Sequence, residues 1–112
     1  MKHIKTGMHR GFFKVLAGTH SLQAAKMVLR PGQSSGEFGA EHPRSEQWLL
    51  VVTGTGRARV GKSRVAIKTS SLLLIEKDEP HQITNTGRTP LVTLNFYAPP
   101  AYTPKGELRP TK

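Results

Sequence analysis

The chain has 112 residues, no cysteine and a formal net charge of +10. Its length falls within the usual size of one domain, so we expect a single domain over residues 1–112 with its regular core over about 25–100. The lack of cysteine excludes disulfides and thiolate metal sites. No stretch approaches the roughly 20 apolar residues that a membrane helix needs, and we expect a cytoplasmic protein with no membrane partner.

Short segments rich in β-branched and aromatic residues follow one another along the chain and predict strands. These segments are residues 23–29, 47–53, 57–60, 64–68, 71–75, 82–85 and 91–97. Glycine or proline marks a turn about every ten residues between them, a spacing typical of a sandwich or barrel. The helix formers Ala24 and Ala25 follow the interrupting Gly18 and Thr19, so we interpret this region as strand and turn.

The two ends of the chain carry the weakest pattern. We expect the first sixteen and the last ten residues to be the least regular. Residues 99–112 are rich in proline and basic side chains, and they predict an extended surface strap or frayed end without a chemical role. Helix should be scarce throughout.

Basic side chains recur at alternating positions of the predicted strands, as in Arg57, Arg59, Arg64 and Lys68. Residues two apart in a strand share one face. We therefore interpret these side chains as a solvent-exposed strand face, and we do not expect nucleic acid as a partner.

Two stretches carry a recognisable spacing. The first is GEFGAEHPRSEQWLLVVTGTG at 36–56, where five residues separate Gly36 from His42 and six separate Gln47 from Gly54. The second is SLLLIEKDEPHQITN at 71–85, where His81 follows a proline. Together they closely resemble the two conserved motifs of the cupin superfamily.

The resemblance implies an all-β fold: a single jelly-roll (cupin) barrel of two antiparallel sheets. It also implies a homodimer, commonly formed through sheet edges in small barrels of this family. In the family, three histidines and one glutamate at the matching positions usually bind a divalent transition metal. This chain keeps His42 and His81, but Arg44 stands at the second histidine position and Gln47 at the glutamate position.

Strand geometry predicts where these side chains point. His42 and Arg44 are two residues apart, so both should face the barrel interior, with Gln47 joining them across a local irregularity and His81 arriving from another strand. Glu41 and Glu46 have the opposite parity and should face outward. We predict a ligand-binding site of Arg44, His42, Gln47 and His81.

Three functions remain open at this point. The first is a pocket for a small polar or anionic ligand, gripped by Arg44, with a divalent metal (Fe, Mn, Ni or Zn) held weakly by His42, Gln47 and His81. The second is a metal-dependent enzyme of the isomerase, epimerase or dioxygenase type. The third is a non-enzymatic module that presents its basic face to an acidic partner. The sequence does not decide whether the protein is an enzyme.

Overall fold

A computed structural model describes residues 1–109 and shows two antiparallel β-sheets. One turn of 3-10 helix, Thr6–Met8, precedes the strands. The strands are β1 (Phe13–Gly18), β2 (Gln23–Leu29), β3 (Glu46–Thr53), β4 (Thr55–Val60), β5 (Ser63–Lys68), β6 (Leu72–Ile75), β7 (His81–Asn85) and β8 (Leu91–Ala98). The five-stranded sheet has the order β1-β2-β8-β3-β6, and the three-stranded sheet has the order β5-β4-β7. This confirms the predicted all-β architecture.

Strand β1 is the element that the sequence pattern missed. It begins at Phe13, inside the region expected to be irregular, and pairs with β2. The register shifts between Val15 and Ala17, and such a bulge breaks the two-residue alternation by which a strand is recognised. At the other end, residues 110–112 of the predicted irregular tail lie outside the described residues.

The interior of the barrel has an aliphatic end and a polar end. At one end the inward side chains are aliphatic and fully buried, and each stabilises the fold by about 1.5–3 kcal/mol. They include Leu29, Leu49, Val51, Ile67, Ile83 and Leu91. Toward the other end the inward positions of the same strands are polar. Gln23, Gln47, Thr93 and Asn95 are all buried there, and this polar end holds the cavity described below.

The C-terminal segment crosses the polar end and is fastened there by one side chain. The Gln23 amide donates from Nε2 to the Tyr102 carbonyl (2.8 Å), and its Oε1 accepts from the backbone N–H groups of Ala101 (3.2 Å) and Tyr102 (3.0 Å). All three bonds join β2 to a segment almost eighty residues later in sequence. The predicted strap therefore exists, and it is anchored in the interior of the protein.

The outer face of the three-stranded sheet is basic. Arg57, Arg64 and Lys68 are exposed on β4 and β5, and the Arg59 guanidinium lies 3.8 Å from the centre of the Phe38 ring. This agrees with the solvent-exposed strand face inferred from the alternation. Within residues 1–109, no helix has the length and apolar character needed to cross a bilayer.

Replacing Gln23 by leucine should detach the strap. The Gln23→Leu variant loses three hydrogen bonds and leaves buried backbone groups without partners, at about 1–3 kcal/mol for each group that water cannot reach. We expect the amide protons of Ala101 and Tyr102 to exchange at least tenfold faster in hydrogen-exchange NMR. The matched control is Gln82→Leu, which removes a glutamine bond to the Gly36 carbonyl and should leave both amides protected. Equal exchange in the two variants would contradict the anchoring role of Gln23.

Candidate functional site

A cavity of about 260 Å³ opens at the polar end of the barrel. Its walls come from both sheets, from the loop before β3 and from the C-terminal strap. The lining residues are Phe12, Phe13, Met27, Ser35, Glu41, His42, Gln47, His81, Ile83, Tyr97, Tyr102, Lys105 and Gly106. Three of the four predicted site residues, His42, Gln47 and His81, meet here.

The orientation of the Gln47 amide is fixed by a chain of buried hydrogen bonds. The Thr93 hydroxyl donates to the Met27 carbonyl (3.3 Å), so its oxygen accepts from Asn95 Nδ2 (3.0 Å). Asn95 Oδ1 is thereby left to accept from Gln47 Nε2 (2.8 Å). Each step determines the next, because a carbonyl oxygen only accepts and an amide nitrogen only donates. We call Thr93, Asn95 and Gln47 the amide relay.

The amide relay leaves one atom without a partner. Gln47 Oε1 is buried and, within the described residues, accepts no hydrogen bond. A buried acceptor without a donor costs about 1–3 kcal/mol, and in native structures such an atom calls for an explanation, for example a bound ion or water. The same residue lines the cavity, so a cation or a hydrogen-bond donor held there would satisfy its oxygen.

His81 presents a lone pair of known position. Its Nδ1 lies 3.1 Å from the Glu79 carbonyl oxygen, which can only accept, so Nδ1 carries the proton and Nε2 the lone pair in the neutral ring. Burial lowers the pKa of His81, and the Glu79 carbonyl and carboxylate only partly offset that effect. A backbone carbonyl that holds one ring nitrogen is also the usual support of a metal-binding histidine.

His42 lies beside His81, with the two ring centres 4.8 Å apart. Burial lowers the pKa of His42, and the neighbouring charge of a protonated His81 lowers it further. The nearby Gln47 side chain acts to raise the pKa of His42 and so opposes this shift. The two side chains do not, however, meet the geometry of a hydrogen bond to Gln47 Oε1. Both imidazoles are therefore neutral at pH 7, and each has a lone pair to share.

Aromatic rings line the cavity beside His42 and Gln47. The centres of Tyr97 and Tyr102 lie 5.1 Å apart, Tyr97 lies 5.0 Å from His42, and Phe13 packs 4.7 Å from Tyr102. Burial raises the pKa of Tyr97 well above its usual value and that of Tyr102 to about 12. Both hydroxyls are therefore protonated at neutral pH. Tyr102 lines the cavity, where its hydroxyl can donate to a bound molecule.

Two orientations expected from strand parity are wrong. Arg44 is exposed and lines a neighbouring cavity that shares Glu41 and His42 with the interior cavity, whereas Glu41 is half-buried and lines both cavities. The reason is that β3 begins only at Glu46. Residues 41–45 form a loop, in which the two-residue alternation of a strand does not apply.

The strap contributes residues that the sequence pattern treated as chemically inert. Tyr102 and Lys105 line the cavity, although residues 99–112 were expected to carry no chemical role. The sequence pattern also did not identify Asn95, which bonds to both Gln47 and Thr93 in the amide relay. A polar residue at an inward position of an otherwise aliphatic strand was the signal available for Asn95, because such a residue needs an internal partner.

The donor set differs from the four-ligand set that the resemblance implies. Among residues 1–109, no group of three or more His, Cys, Asp and Glu side chains is placed to hold a metal ion. Two neutral imidazoles and one partnerless amide oxygen nevertheless share a cavity. Nitrogen and oxygen lone pairs without a competing donor fit a divalent transition metal, with three protein ligands rather than four.

Comparison with known proteins gives relatives of similar fold. The chain is 32% identical over 102 residues to YrkC of Bacillus subtilis strain 168, covering 85% of this chain and 52% of YrkC, so it spans about half the length of that relative. The crystal structure of BH2720 from Bacillus halodurans superposes with a TM-score of 0.81 at 29% identity, over 93% of this chain and 81% of that one. A predicted oxalate decarboxylase from Thermotoga maritima gives 0.70 at 25% identity, over 79% of both chains.

The family model of the cupin domain matches residues 25–97. This range runs from β2 to β8 and includes both histidines and Gln47. More than half of the chain is thus covered, and the two sheets have the order described above. The chain belongs to the cupin family.

Proposed function

We propose that this cupin binds a small polar molecule in its interior cavity, together with a divalent transition metal held by His42, His81 and Gln47. The observation that supports it most is the buried Oε1 of Gln47, which accepts no hydrogen bond within the described residues and belongs to a residue that lines the same cavity as two neutral imidazoles. Binding of an anionic ligand by Arg44, which the sequence predicted, is not part of this proposal, because Arg44 does not line the interior cavity.

The chain's own residues set the conditions for binding. The Glu79 carbonyl holds His81 in the tautomer whose Nε2 has the lone pair, and burial keeps both rings unprotonated. The three proposed ligands include no anion, which would strengthen metal binding. Glu41 also lines the cavity, but burial raises its pKa and so disfavours its charged form. We therefore expect weak retention. When bound, the metal would supply a Lewis-acidic position for an oxygen of the ligand.

The small molecule is selected by the aromatic residues and Lys105 of the cavity lining. Tyr102 offers a hydroxyl proton, Lys105 lies at the cavity lining, and Phe13 and Tyr97 add aromatic surface. A volume of about 260 Å³ falls just below the range of drug-sized pockets. A small carboxylate suits this combination, because its oxygens would accept a hydrogen bond from the Tyr102 hydroxyl. Its negative charge would also be attracted to the Lys105 ammonium group.

A second candidate is a metal-dependent enzyme that acts on such a carboxylate. The likeness to a predicted oxalate decarboxylase and the Tyr102 hydroxyl beside the cavity favour it. The third alternative, a module binding an acidic partner through the basic strand face, draws support only from the exposed arginines and lysines of β4 and β5.

Metal affinity should depend on the side chain of Gln47 and not on that of Arg44. Gln47→Leu removes the oxygen ligand, so we expect Ni²⁺ or Zn²⁺ binding in isothermal titration calorimetry to weaken at least tenfold. Arg44→Ala is the matched control for loss of a nearby polar side chain and should change the affinity less than twofold. Absence of metal binding by the unaltered chain would overturn this part of the proposal.

The amide relay should matter for metal binding although two of its members do not line the cavity. Thr93→Val removes the hydroxyl at similar volume, so Asn95 Nδ2 loses its acceptor and the Gln47 amide is no longer held in one orientation. Groups that position a metal ligand typically contribute 10–100-fold to affinity, and we expect a loss of about tenfold in the same titration. A control substitution at the exposed Thr55 of β4, Thr55→Val, should have no effect.

Carboxylate binding should depend on Tyr102. We expect oxalate to raise the melting temperature of the Zn²⁺-loaded protein, and Tyr102→Phe to reduce that rise by at least half without altering metal affinity, because only one hydrogen-bond donor is lost. Oxalate that is consumed during the incubation would favour the enzyme over the binding protein. No stabilisation by oxalate in either variant would exclude small dicarboxylates as the ligand class.

The two buried imidazoles predict how stability depends on pH. Their pKa values are lower in the folded chain than the ordinary value near 6.5, so the unfolded chain binds more protons in that window and stability rises with pH. In the presence of a chelator, the free energy of unfolding in urea should therefore fall as pH decreases from about 7.5 to 5.5. The His42→Gln, His81→Gln double variant should flatten this slope, and His20→Gln, at an exposed position, should keep it.

A further inference from the structure

A second cavity, of about 530 Å³, lies on the outer side of the five-stranded sheet, beside the N-terminal segment. Lys26, Val28 and Arg30 line it from β2 and its end, and their alternation with core residues places them on the outer face. The segment before β1 runs alongside, because the Val28 N–H donates to the Phe12 carbonyl (2.9 Å). Within residues 1–109, Phe12 is the one residue that lines both this cavity and the interior one. We call the second space the N-terminal cavity.

Lys26 is a buried charge at the N-terminal cavity. The residue is only 7% exposed, and its ammonium group donates to the Thr6 carbonyl (2.7 Å). An ammonium group carries three N–H donors and a full positive charge, whereas a carbonyl is neutral. A charge removed from water is costly in free energy unless an opposite charge pairs with it. Lys26 therefore calls for a counter-ion.

The surrounding elements contain no acidic residue that could supply this counter-ion. Residues 1–36 and 80–106 include neither aspartate nor glutamate, and these ranges contain the N-terminal segment, β1, β2 and β8. The neighbour across the strand pair is instead another cation, since Lys14 of β1 is paired directly with Lys26. Directly paired side chains lie about 5 Å apart, where like charges repel. The counter-ion must therefore come from solution.

Other basic side chains line the same cavity. His9, Arg10 and Arg30 contribute to its walls together with Lys26, and within residues 1–109 no aspartate or glutamate does. A cleft lined by one sign of charge attracts ions of the other sign, because its low-dielectric walls focus the field. Guanidinium and ammonium groups are also the usual hydrogen-bond donors to carboxylate oxygens. The N-terminal cavity therefore attracts an anion.

Most of the remaining lining is apolar, and it indicates what the anion carries. Phe12, Val28, Pro90 and Val92 form this part; Val28 and Val92 are paired directly across β2 and β8, and Phe12 is 46% exposed. The volume of about 530 Å³ falls within the roughly 300–1,000 Å³ of small-molecule sites. An inorganic ion would leave these apolar side chains in contact with water, whereas a hydrocarbon chain would cover them.

We propose that the N-terminal cavity binds an amphiphilic carboxylate, a molecule with one anionic head and a hydrocarbon chain of medium length. The head pairs with the Lys26 ammonium group, because one buried positive charge is matched by one negative charge. Arg10 and Arg30 add to the attraction, and the chain packs on Phe12 and Val28. This inference does not depend on the ligand or metal proposed for the interior cavity.

Octanoate is the probe, titrated into the metal-free protein in the presence of a chelator. In heteronuclear NMR we expect saturable shifts of the backbone amides of Lys26, Val28 and Val92. Acetate, which lacks the chain, and octanol, which lacks the charge, should each bind at least tenfold more weakly, about 1.4 kcal/mol. Three results would overturn the proposal: no binding of octanoate, equal binding of octanol, or shifts confined to Gln47 and His81, which would place octanoate in the interior cavity.

Removal of the buried charge tests the role of Lys26. Lys26→Met keeps an unbranched side chain without the charge and should weaken octanoate binding at least tenfold in the same titration. Lys68→Met, at an exposed position of β5, is the matched control and should leave the affinity unchanged. Circular dichroism confirms that each variant is folded.

A second pair of variants leaves the bond between Lys26 and Thr6 intact. The Arg10→Gln, Arg30→Gln double variant removes two charges from the cavity and should weaken octanoate binding by about threefold or more. The Arg57→Gln, Arg64→Gln double variant removes the same charge from exposed positions of the three-stranded sheet and should have no effect. Equal affinities for octanoate in the cavity variants and their controls would overturn the proposal.

Discussion

The hydrogen bond from Gln47 to Asn95 joins β3 to β8 inside the barrel, and the character of the cavity depends on it. Both side chains are almost fully buried, where an unpaired amide would be costly. Pairing them satisfies one side of the Gln47 amide and commits the other side to the cavity. The barrel thereby leaves an amide oxygen, not an amide nitrogen, without a protein partner in a residue that lines the same cavity as two histidines.

The strands were readable from the sequence because each is a short apolar alternation between turn residues. The same strand pattern predicted that His42, Gln47 and His81 share one pocket. Gln47 is the second residue of β3 and His81 is the first residue of β7, so a strand fixes both positions. The pattern failed for Arg44 and Glu41 because both precede the first residue of β3. Parity is a property of extended backbone, and the predicted strand began only at residue 47. Extending the alternation back across Pro43 was the error, because proline is disfavoured inside a strand.

The strap could not be placed by any local pattern. Its anchor, Gln23, and its cavity residue, Tyr102, are 79 positions apart in sequence, and Phe13 reaches the same ring from β1. Contacts of this range arise only when the whole sheet is assembled. Tyr102 and Lys105 therefore looked like members of an inert tail, although they complete the wall of the site.

The basic strand β5 has a consequence for how copies of the chain behave in a crowded solution. It is an edge strand of its sheet, and an edge exposes backbone groups on which another strand can add. Arg64 and Lys68 are exposed on this strand, and Arg64 pairs across to Arg59. An incoming β5 from another copy would set like charges side by side. Growth by edge addition into ribbons or fibrils is thereby opposed, and the same arginines and lysines that add positive charge to the chain preserve its colloidal stability.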